Sequence, residues 1–499
     1  MTRRDWLRYA SAAPLLAAGL RADETIPAHP QDLKFKPLVY DPPEPAGYRH
    51  ELPNGAVAYL VEDHTLPLVD VSALIKGGAY LTPRSSWGLA QMTGSQMRVG
   101  GTISISPRDL DEELAFLASD IGTSFGDTSG SASMSCLKAN LDRTLELFFD
   151  VLKNPRFDEQ RFQLAVAQSL QSMERRNDDT GSISGREYQR LLRGDDHFST
   201  WQTTKPSLES ITIDKMREFH QTYLYPGSFI FSVSGDFDTK EMVDKLSEAM
   251  SAPWPAKTKP ALPPIPAPTH VPAPGVYMVQ KGGVNQSQIQ MGHIGIERSN
   301  PDHFAVSVMN YILGGGGFIS RITQRVRSDE GLAYSAGSSF SPGTYYPGTF
   351  TAGFQSVNAR CAQATTIVVE EVRRIREEKV SQEELDISKN YVIEIFPRFF
   401  ATAGQVAGTF AADEFTGREK GFWQTYRDHV AAVTPDDVLR VAQTYLHPDK
   451  LVILGVGEVG QMLAGNPDQP EYSFQKFAGD AGVQRIPLPD PLTLEYPKA

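Results

Sequence analysis

Thr212-Ile213-Asp214, Gln221-Thr222-Tyr223-Leu224-Tyr225-Pro226 and Gly235 return later in the chain as Thr434-Pro435-Asp436, Gln443-Thr444-Tyr445-Leu446-His447-Pro448 and Gly457, in the same order and with the same gaps. A gap-free match of this length marks an internal duplication, and it decides the fold, because the architecture of one half must be repeated in the other. In each copy the Thr and Asp suit a helix start. Apolar Met216, Phe219 and Tyr223 in the first copy, and Val438, Val441 and Tyr445 in the second, follow at helical spacing. A strand comes next in both, over 229–233 and 451–454.

Outward from the repeat, strands and helices continue to alternate. Residues 57–61 and 69–75 read as paired strands. Leu110, Leu114 and Leu117 mark a helix started by Ser106 and Pro107; Leu141, Leu145, Phe148 and Leu152 mark a second, and Phe162, Val166, Leu170 and Met173 a third. Each half is therefore α+β. Between the halves, 253–274 holds nine of the chain's 35 prolines, which predicts an extended, semi-rigid linker between a domain over 40–252 and another over 275–499.

Composition narrows the function. With 40% apolar and 22% charged residues the chain is globular, and beyond the N-terminus no apolar run approaches the roughly 18 residues of a membrane span, so stable membrane insertion is not expected. A net charge of −12 repels phosphate backbones and disfavours nucleic acid as a partner. Cys136 and Cys361 are too few for a Cys-rich zinc site or a disulfide framework. Thr2-Arg3-Arg4-Asp5-Trp6-Leu7-Arg8, a modest Ala/Leu stretch over 9–20 and Arg21-Ala22 read as an export signal over 1–22. It resembles the twin-arginine type, an ordinary secretory signal being the other reading. On either reading the protein is exported, to the periplasm.

Gly77-Gly78-Ala79-Tyr80, Trp87-Gly88-Leu89-Ala90-Gln91-Met92-Thr93-Gly94-Ser95 and Gly100-Gly101-Thr102, set in a duplicated α+β chain, resemble the M16 metallopeptidases, the pitrilysin, insulinase and mitochondrial processing peptidase family. The resemblance covers nearly all of the chain after the signal. It implies two homologous domains, each a mainly antiparallel sheet with helices packed on it. Active members carry H-x-x-E-H after the Gly-Leu-Ala: the two histidines share a helix face and bind zinc, and the glutamate is the general base. Here those positions are Gln91, Gly94 and Ser95, so the zinc motif is degenerate and this chain is expected to hold no metal. No two of the ten histidines stand three or four apart. The family's remaining zinc ligand should fall near 162–176, where Gln168 and Gln171 offer amides and Glu174 reads as a solvated acid. Gln91 and Ser95 read as structural remnants. Gly94→Glu is expected to favour the helix, glycine costing about 1 kcal/mol inside one.

The second half keeps more of the family pattern. Leu313-Gly314-Gly315-Gly316-Gly317-Phe318-Ile319-Ser320-Arg321 leads into Arg325-Val326-Arg327-Ser328-Asp329-Glu330-Gly331-Leu332-Ala333-Tyr334. By resemblance, Arg327 and Tyr334 are the pair that reaches the substrate carbonyl and stabilises the developing oxyanion. Gly314, Gly315, Gly316 and Gly317 then form a flexible substrate-contacting loop. The other reading is Arg327 as an ordinary surface ion-pair residue and Tyr334 as a core aromatic, against which the sequence context favours the functional one. Some M16 enzymes are heterodimers of a zinc-bearing and a zinc-free chain. The resemblance thus implies a zinc-free subunit whose partner, a homologue, carries the zinc and whose substrate is an oligopeptide or unfolded segment. The rivals are a structural role and capture of peptide without cleavage.

Two further motifs carry little. Gly122-Thr123-Ser124-Phe125-Gly126 satisfies G-x-S-x-G, but residues 127–135 read as turn and strand where a nucleophile elbow needs a helix. By resemblance Thr123, Ser124 and Phe125 belong to an edge strand that pairs with extended substrate. Gly455-Val456-Gly457-Glu458-Val459-Gly460 satisfies G-x-G-x-x-G, but too little chain remains after it for a dinucleotide unit.

Overall fold

Val69, Val71, Ala73 and Ile75 are buried and alternate with more exposed neighbours, the period-two pattern of a strand with one face on a core. Phe229, Ile230, Phe231 and Val233, by contrast, are buried without alternation, and so are Val57, Ala58, Tyr59 and Leu60. Strands of that kind need cover on both faces and belong in the interior of a sheet. The computed structural model, which describes residues 39–256 and 259–498, shows how they are placed. The export signal read over 1–22 lies outside the described residues.

The strands are β1 (Arg49–Glu51), β2 (Val57–Glu62), β3 (Leu68–Lys76), β4 (Asp120–Phe125), β5 (Ser129–Leu137) and β6 (Phe229–Gly235), then β7 (Gly275–Gln280), β8 (Gln286–Ile294), β9 (Ala333–Ser341), β10 (Thr349–Val357), β11 (Val452–Gly457) and β12 (Gln484–Ile486). They form two six-stranded sheets, β1-β2-β6-β3-β5-β4 and β12-β7-β11-β8-β10-β9. From β2 and from β7 onward the order is the same, one parallel pair followed by three antiparallel ones. The duplication in the sequence is thus a duplication of topology. Only the outermost strands differ, β1 antiparallel to β2 and β12 parallel to β7.

One pairing departs from expectation. β2 and β3 are not partners: β6 lies between them, parallel to β2 and antiparallel to β3. The largely buried β6 gains cover on both faces there, a position a simple hairpin of β2 and β3 would deny it. Helix starts agree closely with the sequence. Thr212 and Thr434 accept hydrogen bonds from Lys215 N and Asp437 N at the starts of the helices Ile213–Tyr223 and Pro435–Tyr445, and Ser106 caps Pro107–Phe116 in the same way.

Each sheet also receives a helix from the other half of the chain. Ala403–Thr416 lies on β2, β6 and β3 of the first sheet, while Thr180–Arg193 lies on β11 and β8 of the second. Ile183, Tyr188 and Leu192 join Tyr277, Val279, Val452, Leu454 and Val456 in one apolar cluster. On the first sheet, Glu414 accepts from the Tyr59 hydroxyl at 2.6 Å and from Arg49 Nε and Nη2 at 2.8 and 2.9 Å. The described residues of the proline-rich segment carry no regular secondary structure, and its carbonyls accept from side chains of both halves, Pro266 O from His197, Pro263 O from Tyr80 and Ala273 O from Tyr277.

Candidate functional site

The helix Leu89–Val99 carries Gln91, Gly94 and Ser95. Leu89, Ala90, Met92 and Met97 anchor it in the core, and it packs on β4, the edge strand of the first sheet. Gly94 sets the distance between them. A Cβ there would stand 2.5 Å from Phe125 N and 2.7 Å from Ser124 C, backbone that cannot move aside independently. Thr123 Oγ1 donates to Gly94 O at 2.6 Å and locks the approach. The expectation that Gly94→Glu favours the helix is therefore corrected: helix propensity there is worth less than the close contact it would break. Of the other β4 residues, Ser124 is exposed and bonds Ser131, whereas Phe125 is buried in an edge-on contact with Phe219. β4 turns into β5 and not into a helix, so Gly122–Gly126 forms no nucleophile elbow.

Across from this helix runs Glu159–Glu174, and a pocket of about 460 Å³ opens between the two. Gln91 and Ser95 line it from one side and Gln168, Ser169 and Ser172 from the other, with Arg176 just past the helix end. Gln171 and Glu174 are exposed and are not part of the lining. Arg176 Nη2 donates to Thr203 O, while Nη1 is buried without a partner, as is Gln91 Oε1. Burial, reinforced by repulsion from Arg186, pushes the Arg176 guanidinium down to about 10.

Zinc sites are built from imidazole, thiolate and carboxylate. The pocket offers amides, hydroxyls and a guanidinium, and the described residues hold no cluster of three or more His, Cys, Asp or Glu that could bind a metal. These residues do not fit zinc. Sequence spacing places the opposing helix correctly, but a search along it for an acid passes over the basic residue at its end.

Arg327 lies in the wide helical turn Gln324–Asp329, fixed by buried Val326, and Tyr334 lies at the start of β9. The structure brings them together: the guanidinium carbon stands 4.6 Å from the Tyr334 ring centroid and 4.3 Å from that of Phe318. Tyr334 is 83% exposed and Phe318 64% exposed, so neither is a core aromatic. Nor is Arg327 an ion-pair residue: among the described residues it makes no salt bridge. Its neighbours do, Arg321 bidentate to Glu384 at 2.6 and 3.0 Å and Arg325 to Glu370 and Glu371 at 3.0 and 2.9 Å. Phe318 is not singled out by the sequence motifs; its place directly after the glycine run is the available signal.

The glycine run is helical and not an open loop. Gly314 and Gly315 end the wide helix Tyr311–Gly315, and Gly317 starts a short turn with φ of +60°. Gly314 is buried against β9, where a Cβ would stand 2.4 Å from Ser338 N. It occupies on the second sheet's edge strand the place Gly94 occupies on the first. Gly315 and Gly317 are exposed, and Gly316 is half-buried.

Comparison with known proteins finds the same fold elsewhere. Residues 210–392 match the family described as the peptidase M16 inactive domain. A Streptomyces coelicolor protein named as an uncharacterized zinc protease is 23% identical over 324 residues, 62% of this chain and 68% of that protein. The Helicobacter pylori protein named non-peptidase homolog YmxG is 22% identical over 348 residues, 66% of this chain and 76% of that one. In structure, a peptidase M16 inactive domain from Pseudomonas fluorescens shares the fold with a TM-score of 0.73 at 23% identity, over 82% of this chain and 97% of that one. The chain is thus similar to the M16 peptidases, by a match to their inactive domain over residues 210–392 and by a shared fold over most of its length, and its sequence contains no H-x-x-E-H.

Proposed function

We propose that the chain is the zinc-free subunit of a two-chain M16-type peptidase, exported to the periplasm, in which a zinc-bearing homologue supplies the metal and this chain supplies Arg327 and Tyr334. The observation that carries this reading is the state of Arg327. A half-buried guanidinium bound to no carboxylate among the described residues, and stacked on two exposed aromatic rings, is a preorganised donor. Folding gains little from such an arrangement. Placed opposite a metal-activated water on another chain, it would stabilise negative charge on a peptide carbonyl oxygen. Phe318 and the exposed Gly315 and Gly317 offer the same substrate an apolar, low-profile surface, and the β4 edge offers main-chain pairing through Thr123 and Ser124.

Co-expression with a homologue bearing the intact zinc motif, co-purification and assay against quenched oligopeptides test the reading. Activity in the pair and none in either chain alone is the expected result. The absence of a complex, or activity of the partner that this chain does not change, would sink it. A second reading, capture of peptide without cleavage, is favoured by the open β4 edge; it predicts peptide binding to the isolated chain and no gain in hydrolysis with any partner.

A further inference from the structure

We propose that the pocket between Leu89–Val99 and Glu159–Glu174 is a carboxylate-binding site, and that its occupant is a peptide carboxylate seated on Arg176. A buried cation costs free energy unless it is paired, and native structures pair it. Among the described residues the half-buried Arg176 guanidinium has only the carbonyl of Thr203 as a partner, its Nη1 is buried and unbonded, and no Asp or Glu lines the pocket around it. Arg186, the nearby cation, is committed to Glu187 at 3.0 Å and Asn177 at 2.9 Å. One uncommitted positive charge matches a singly charged carboxylate better than a phosphate dianion.

The second orphan atom selects what accompanies that charge. Gln91 Oε1 is a buried acceptor without a donor among the described residues. The last residue of a peptide carries both complements, a carboxylate for the guanidinium and an amide N–H for the Gln91 carbonyl, while Ser95, Ser169 and Ser172 can bond either. A pocket of about 460 Å³ accommodates a terminal side chain. The Thr123–Gly94 bond also ties the same helix to β4, which sets the pocket beside a strand edge able to take up peptide main chain. On this view the pocket has the opposite sign to the zinc site that the family resemblance implies for active members: it presents a cation and receives an anion.

The proposal takes its occupant from the peptide-handling reading but needs neither the partner chain nor zinc, so the isolated chain tests it. A hexapeptide library offered as free acids and as C-terminal amides, with and without internal Glu, is incubated with the protein in EDTA and retained peptides are identified by mass. Calorimetry on a retained peptide is then repeated with Arg176→Gln and with Ser172→Asp, the latter an exposed position where a carboxylate of the chain's own would occupy the guanidinium. Free-acid peptides should be retained, and amidation and both variants should each lower affinity about tenfold or more. Selective loss on replacing internal Glu by Gln, with amidation tolerated, would assign the site to a side-chain carboxylate and still support it. Retention indifferent to every carboxylate and to both variants, or no retention at all, overturns it. A two-chain peptidase assay can fail without altering this result, and the reverse also holds.

Discussion

Arg327 and Tyr334, separated by six residues in sequence, meet as a cation over an aromatic face, with 4.6 Å between guanidinium carbon and ring centroid. The contact holds the guanidinium without neutralising it, which a carboxylate would do. In a two-chain peptidase, Arg327→Ala or Tyr334→Phe should lower turnover on the order of a hundredfold while the complex still forms, since one preorganised oxyanion donor is worth about 2.7–4 kcal/mol. Phe318→Ala should give a smaller loss. Steady-state kinetics with a size-exclusion check of assembly measures this, and unchanged turnover in both main variants would favour a scaffold.

The isolated protein should bind no stoichiometric zinc and cleave no quenched peptide. Gln91, Ser95, Gln168 and Ser172 provide no anionic or imidazole ligand, and Arg176 adds positive charge to the same pocket. Elemental analysis after dialysis against zinc settles the matter; one zinc per chain would contradict the reading of the site.

Rebuilding the motif by Gln91→His, Gly94→Glu and Ser95→His should destabilise the protein instead of restoring an enzyme. A side chain at position 94 would press on the backbone of Ser124 and Phe125, and overpacking of this sort costs roughly 1–3 kcal/mol. Gly94→Ala alone should already lower the melting temperature. Gln91→His with Ser95→His should not, because both side chains face the pocket. Thermal unfolding of the variants decides; an unchanged midpoint for Gly94→Ala would show that β4 yields easily.

These differences mark where sequence stops being informative. The paired repeats, the caps at Thr212, Thr434 and Ser106 and the helix Glu159–Glu174 are all legible, because each rests on local spacing, while its place opposite the motif is legible only through the family resemblance. The insertion of β6 between β2 and β3 is not, since strand pairing is settled by which faces must be covered, and that cover comes from residues far along the chain. Gly94 looks like a lost glutamate because a position vacated by catalysis and a position required by close packing are written with the same letter. Among Arg321, Arg325 and Arg327, nothing in the sequence distinguishes the two that have carboxylate partners from the one that does not.

Stability should fall as pH drops from about 6.5 toward 4. His220 donates from Nε2 to Leu152 O at 2.8 Å; His293 donates from Nδ1 to Ile294 O and accepts the His447 N–H at Nε2, an arrangement only a neutral ring can make. Burial pushes both imidazoles down to about 4 from an ordinary 6.5. Between those values the unfolded chain binds more protons than the folded one, so the stabilisation is full above pH 6.5 and is lost on acidification, on the order of 3 kcal/mol for each ring. Urea unfolding at stepped pH should show this slope, and His293→Asn should reduce it; an identical slope in that variant would remove His293 from the account.

The exchange of helices between the halves bears on how the protein is made. When β6 has been synthesised, the first sheet is complete in strands but bare on the face that Ala403–Thr416 will cover, and some 170 residues must still be translated. At ordinary rates of translation that is on the order of ten seconds during which Tyr59 and Ser234 lack their final neighbours. The first half cannot mature as an independent unit ahead of the second, and cutting the gene within the proline-rich segment would yield two fragments, each missing part of its own roof.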